Sequence, residues 1–201
     1  MPSRDRRDAP GALHHICCNG NNGCRISHDD RDANTLALIQ REAARQTGVT
    51  ILSYADLDTH SHLYVRMSEA NLSLFMQLML GRYARAFNKR HGHEGHLFRS
   101  PFWSCRTTTE AQLLMALAYI ALNPVRHRLC EHPRQWARGS YRELAGLAPP
   151  SGRVDVQAVL ELFAPGDMEA GRREYVELID AWCARVHTRE RRQRSAAPPP
   201  G

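Results

Sequence analysis

Two short constellations in this sequence carry residue types suited to metal or phosphoryl chemistry. His60-Ser61-His62 sets two imidazoles two positions apart, and Tyr119 stands four positions before Asn123. In a strand, residues i and i+2 project from one face with Cα atoms roughly 7 Å apart, so both rings could converge on one ion. In a helix, residues four apart stack with Cβ atoms about 6 Å from each other, so an amide oxygen could complete a metal site beside a phenol. A free phenol has a pKa of about 10, and ionising it at neutral pH costs about 4 kcal/mol. Cutting a phosphodiester with one therefore calls for a nearby cation that offsets the developing charge. Neither pair decides alone. Two histidines equally suit the polar outer face of a half-exposed strand, and Tyr119 equally suits a helix core, with Asn123 simply preceding Pro124. A second H-x-H, His91-Gly92-His93, lies in a Gly/His loop that cannot hold two rings in fixed positions.

The elements needed to place these residues are legible in outline. His14–Cys18 reads as a short strand, followed by dense turn chemistry at Asn19-Gly-Asn-Asn-Gly23. Asp30 to Gln46 reads as a helix stopped at Gly48; Val49–Tyr54 and His60–Met67 then read as adjacent strands. On the second of these, His60, His62, Tyr64 and Arg66 share one face, a working surface, and Ser61, Leu63, Val65 and Met67 share the core face. Apolar positions from Leu72 to Phe87 hold the i, i+3, i+4, i+7 pattern of a helix, with Arg82, Arg85 and Lys89 on its other side. Leu97–Arg106 is expected as a further strand interrupted at Pro101. Thr107 and Glu110 offer a capping box for a helix that runs to Asn123 and ends at Pro124. The order β-α-β-β-α-β-α predicts an α+β, ferredoxin-like split βαβ fold, an antiparallel sheet with helices on one face, plus a small C-terminal helical extension.

The whole chain has 201 residues, 42% of them apolar, enough for one ordinary domain and an appendage. No window approaches a membrane span, and the N-terminal stretch lacks an apolar h-region, which predicts a non-secreted, cytoplasmic protein, one associated with the nucleoid. Cys17, Cys18, Cys24, Cys105, Cys130 and Cys183 form no C-x-x-C pair and read as free thiols. The formal charge of +6, carried on arginine except for Lys89, favours an anionic partner. The expected organisation is a disordered N-terminus at 1–12, a main domain at 13–145, a linker at 146–153, a helical piece at 154–187 and a basic, Pro-rich disordered tail at 188–201.

The segment Ala118-Tyr-Ile-Ala-Leu-Asn-Pro-Val-Arg126, with an H-x-H strand about sixty residues earlier, resembles the REP-associated tyrosine transposases, bacterial relatives of the insertion-sequence transposases with one tyrosine and an HUH motif. The likeness continues in Tyr83-Ala-Arg-Ala-Phe-Asn88, Gly95-His-Leu-Phe98, His132-Pro-Arg-Gln-Trp136, Ser140-Tyr141 and Val159-Leu-Glu-Leu-Phe163, and so spans about residues 12–180. The resemblance implies a DNA-cutting enzyme in which His60, His62 and Asn123 hold Mg²⁺ or Mn²⁺. Tyr119 would attack the scissile phosphate, leaving a 5′-phosphotyrosine link and a free 3′-hydroxyl. Its substrates would be hairpin-forming single strands, and the protein itself would act as a monomer, with a dimer as the alternative. Two departures stand out. Leu57-Asp58-Thr59 and Ser61 replace the family's M-P-N and apolar middle residue, and Cys17-Cys18-Asn19-Gly20 stands where an arginine commonly precedes the glycine.

Phe98, Arg99, Phe102, Trp103 and Arg106 interleave aromatics with guanidiniums, the combination that stacks unpaired bases and tracks phosphates. Core packing is the other reading of the two phenylalanines. Arg126, Arg128, Arg134 and Arg138 follow the tyrosine segment and could grip phosphates near a cut, as could Arg66 and the Arg82, Arg85, Lys89 stripe. Two competitors remain: a DNA-binding protein of the same fold without turnover, and a zinc-structured module built on His14, His15, Cys17, Cys18 and Cys24. The latter's spacing is crowded and irregular.

Overall fold

The computed structural model describes residues 9–195, with side chains to residue 188. Of the disorder expected at 1–12, residues 1–8 lie outside the described residues, as does the Pro-rich end at 196–201, whereas Gly11 and Ala12 are ordered by backbone hydrogen bonds with Met67. Four strands, β1 (Leu13–Asn19), β2 (Thr50–Asp56), β3 (His60–Arg66) and β4 (Trp103–Thr107), form one antiparallel sheet in the order β2-β3-β1-β4. Helices α1 (Asp30–Thr47) and α2 (Leu72–His91) provide the two crossovers. This is the ferredoxin-like arrangement expected from the sequence.

Strand register sorts the side chains onto two faces. His14, Ile16 and Cys18 lie opposite Val65, Leu63 and Ser61, whereas His15, Cys17 and Asn19 lie opposite Tyr64, His62 and His60. The first set faces α1 and α2, whose junction is held by Arg90 and His91 of α2 on Asp32 of α1. Leu36, Phe75, Met76, Met79 and Tyr83 close the core there, each almost fully buried. At about 1.5–3 kcal/mol for each large apolar side chain removed from water, this layer dominates the stability of the domain.

The second face is not open. Helix α3 (Glu110–Ala121) lies across it, in contact with β2 and β3, and buries Leu113, Leu117 and Ile120. The working surface expected on β3 is therefore covered: His60, His62 and Tyr64 are all buried. Thr109 is the N-cap of α3; its side-chain oxygen accepts from the Gln112 N–H, while the Gln112 amide oxygen reaches back to the Thr108 N–H. The cap thus falls two residues beyond the expected Thr107 and Glu110, because Thr107 still belongs to β4 and its hydroxyl bonds the Tyr64 hydroxyl. At its other end α3 stops at Leu122, and Asn123 opens a separate turn, α4 (Asn123–Arg126), with Pro124 in its first positions. Tyr119 and Asn123 do not share one helix as expected.

The strand expected over Leu97–Arg106 is shorter. Leu97–Arg99 instead pairs with the Gly-rich turn: the Asn21 N–H donates to Leu97 O, the Arg99 N–H to Asn19 O, and Phe98 bridges Gly20. Gly20 is required there, since an added Cβ would stand 2.0 Å from the Cys24 carbonyl oxygen.

Beyond α4 come α5 (Tyr141–Leu144), α6 (Val156–Leu160) and α7 (Met168–Ser195). α7 continues past residue 187, where the tail was expected to begin. The extension packs on the sheet domain through Val159, Leu160, Tyr175 and Ile179, all fully buried. The segment 146–153 is tied down as well: Ser151 bonds Glu143 through its N–H and its hydroxyl, and Arg153 pairs with buried Asp56 at 2.6 Å while lying 3.4 Å over the Tyr54 ring.

Candidate active site

The floor of the site is the covered face of β1 and β3. His60 and His62 stand there with ring centroids 5.2 Å apart. α4 brings Asn123 onto His60, with Oδ1 3.0 Å from Nε2. α3 brings the Tyr119 ring to 5.5 Å from that of His62. The four residues singled out from the sequence thus come together from three elements, Asn123 reaching β3 from the turn that follows Leu122.

The segment before the histidines, where the sequence departs from the pattern it resembles, is fully partnered. Asp58 accepts from Arg138 at 2.8 Å and from Arg25 at 2.7 Å, and its carbonyl accepts from the Ile26 and Ser27 N–H groups. The Thr59 hydroxyl lies 3.0 Å from His60 Nδ1. The Ser61 hydroxyl donates to Asp56 at 2.6 Å, beside Gln40 and Arg153. A hydroxyl on the core face costs little when a buried carboxylate accepts from it.

Burial sets the charge state of the imidazoles. Desolvation holds His62 down at about 3 and His15 at about 4, and lowers His60, which its contact with Asn123 only partly offsets. All three rings are therefore neutral near pH 7, the form that ligates metals. Cys17, with Sγ 3.8 Å from His62 Nε2, is pushed up to about 11 by burial and stays a thiol. Among the described residues no three His, Cys, Asp or Glu side chains form a metal-holding group. A cation here would take two imidazoles and the Asn123 amide oxygen. Two imidazoles with one amide oxygen suit a divalent transition ion such as Mn²⁺ better than Mg²⁺, which prefers oxygen ligands throughout. The Asn123 Nδ2 is buried without a hydrogen-bond partner and calls for a further acceptor beside the site.

Sequence reasoning missed three neighbours. His15 Nε2 lies 3.0 Å from His62 Nδ1, His127 stacks 4.8 Å from His60, and Cys17 borders both His15 and His62. Period-two alternation already required one of His14 and His15 to face each side of the sheet, and register decides which. The same alternation separates His14 and Cys18 from His15 and Cys17, so the zinc module imagined from these residues cannot assemble.

A cavity of about 1220 Å³ opens from Tyr119 along β4, lined among others by His15, Arg99, Phe102, Trp103 and Met115. The other expected DNA contacts divide. Arg126 places its guanidinium 5.0 Å over the Tyr119 ring, and Arg128 is exposed just beyond it. Phe98 packs 6.0 Å from Tyr83 in the core and has no face to offer a base. Arg106 lies opposite His14, on the other face of the sheet from Tyr119, although the residue also borders the cavity. Arg82, Arg85 and Lys89 ride on α2, across the sheet from Tyr119, and Arg82 bonds Gln46 of α1. Arg138 is engaged by Asp58, Arg134 folds back on His132, and Arg66 ends β3 half-buried.

The family model described as Transposase IS200 like matches residues 12–123. Among solved structures, a REP-associated tyrosine transposase bound to a REP hairpin superposes with a TM-score of 0.59 at 18% identity, over 74% of this chain and 89% of that one. At that identity the likeness speaks for the fold. A candidate transposase from Deinococcus radiodurans reaches a TM-score of 0.43 at 18% identity, over 59% of this chain and 95% of that one. No curated protein matches the sequence.

Proposed function

This chain belongs to the IS200-like transposases, and from that premise we propose that it is a metal-dependent single-strand DNA endonuclease and strand transferase acting on hairpin-forming DNA, in the manner of the REP-associated tyrosine transposases it resembles. The observation that carries the proposal is the convergence of a phenol, two neutral imidazoles and an amide oxygen, from α3, β3 and α4, at one end of a long cavity.

In this reading Tyr119 Oη attacks the scissile phosphorus. The O–P bond forms as the phenol loses its proton, the P–O3′ bond breaks, and the departing 3′-oxygen takes up a proton. The phosphate stays on Tyr119 as a 5′-phosphotyrosine. Attack by another 3′-hydroxyl reverses the step and conserves the bond energy, so no nucleotide cofactor is consumed. The Arg126 guanidinium over the ring supplies positive charge where the phenolate develops. His60, His62 and Asn123 would hold the divalent cation, which when bound polarises the phosphate and offsets charge. Arg99, Phe102 and Trp103 line the cavity and suit unpaired nucleotides, stacking being worth about 1–3 kcal/mol per base. The protein would work in the cytoplasm, at the nucleoid, as a monomer or, in the alternative, a dimer. No helix among the described residues is long and apolar enough to cross a membrane.

The test mixes the protein with labelled hairpins from its own genomic neighbourhood and Mn²⁺ or Mg²⁺, and reads a denaturing gel. A covalent protein–DNA band that EDTA and Tyr119→Phe both remove is the expected result. Hairpin binding in a gel shift with no covalent band would instead mark a DNA-binding protein that keeps the fold without turnover.

A further inference from the structure

We propose that His15 is a positioning residue that makes His62 a competent ligand, its Nε2 accepting a hydrogen bond from His62 Nδ1–H and so leaving His62 Nε2 unprotonated. This rests on reading His60, His62 and Asn123 as the cation site. The two rings meet through His15 Nε2 and His62 Nδ1 at 3.0 Å, and one proton lies between them. If that proton belongs to His15, the neutral His62 ring carries its own on Nε2 and cannot bind an ion there. If it belongs to His62, Nε2 presents a lone pair. The pair therefore has one competent arrangement, with both rings protonated on Nδ1.

His15 is built to hold that arrangement. It lies on β1 diagonally across from His62, whose direct partner is Cys17, a separation aromatic side chains bridge. Its ring is wedged edge-on to Trp103, with centroids 5.1 Å apart, and stands 5.5 Å from Tyr119. It thus touches the nucleophile's ring, a ligand's far nitrogen and the wall of the cavity at once. A hydrogen bond to the remote nitrogen of a metal-bound histidine fixes tautomer and ring orientation, and its loss commonly weakens metal binding by about 10- to 100-fold. His62 Nδ1 meets His15 Nε2, and the Ile16 backbone also hydrogen-bonds the His62 ring, so the two hold it together from β1.

The experiment uses the full chain without DNA. Long-range ¹H–¹⁵N spectra of histidine-labelled, metal-free protein report the tautomers, and titration calorimetry with Mn²⁺ reports affinity. Protonation of His62 on Nδ1 is expected, with Mn²⁺ affinity reduced about 10- to 100-fold in His15→Ala and largely restored in His15→Gln, whose Oε1 falls near the position of Nε2. His62 protonated on Nε2 in the wild type overturns the proposal, and this holds even if His15→Ala does not fold. Unchanged affinity in a folded His15→Ala, or equal losses in Ala and Gln, overturns it too. Failure of the wild type to take up Mn²⁺ overturns the ligand reading itself, which separates the two.

Discussion

Single residues here divide by what each can lose. Tyr119 is half-buried with its ring beside those of His15 and His62, and removing its hydroxyl leaves that packing intact. Tyr119→Phe is therefore expected to abolish the covalent band while leaving hairpin affinity, read by gel shift, nearly unchanged. Asn123→Ala removes an oxygen that reaches His60 and is expected to weaken Mn²⁺ binding rather than DNA binding in calorimetry. Asp32 shows the opposite kind of dependence. Burial pushes its carboxyl up, but hydrogen bonds from the His28 N–H, His91 and Arg90 outweigh it and hold the group below its ordinary value. A depressed folded value means stability that is present above the unfolded pKa of about 4 and lost as pH falls through the folded one. Asp32→Asn should melt earlier than wild type at neutral pH, and the gap should close in strongly acidic buffer.

At the scale of elements, the β2–β3 hairpin answers to a partner distant in sequence. Arg153 and Asp56, each with a side chain 5% exposed, form a buried pair that also holds Ser61 and Gln40. Breaking such a pair from one side leaves an uncompensated charge and costs about 3–5 kcal/mol. Arg153→Met is therefore expected to lower the denaturant midpoint sharply, and adding Asp56→Asn should recover part of the loss. Thr109→Ala is a milder case: it removes the α3 cap and should cost about 1 kcal/mol by the same measurement. These contacts also mark the limit of what the sequence discloses. The histidine pair on β3 was legible because a strand repeats every two residues, and the α2 face because a helix repeats every 3.6. The Arg153–Asp56 pair joins residues 97 apart and has no local signal. His15 was half-visible: alternation required one of two adjacent histidines to face each way, but only pairing with β3 says which. Leu97–Arg106 misled because its apolar residues serve two purposes, Leu97 and Phe98 closing the core and Phe102 and Trp103 the cavity.

For the molecule as a whole, charge and cavity predict how DNA binding responds to solution conditions. The +6 balance is distributed over both faces of the sheet, but the cations at the cavity are few: Arg99 and Arg106 line it, and Arg126 lies over the Tyr119 ring beside it. Hairpin affinity should fall with salt along a log–log slope of only a few units, since each neutralised phosphate contributes about 0.7–0.9. A steeper slope would mean that Arg82, Arg85 and Lys89, across the sheet, also reach the DNA. The two walls of the cavity differ in mechanical character. α3 is braced by the sheet beneath it and by α7 beside it. β4 is an edge strand of five residues, laddered to β1 alone. The groove is thus a vise with one fixed jaw and one compliant jaw, and amide protons of β4 should exchange with solvent well before those of β3. Fitting strands of different bulk becomes a matter of bending the weak jaw, while the reacting groups, anchored on the rigid one and on the floor, hold their alignment.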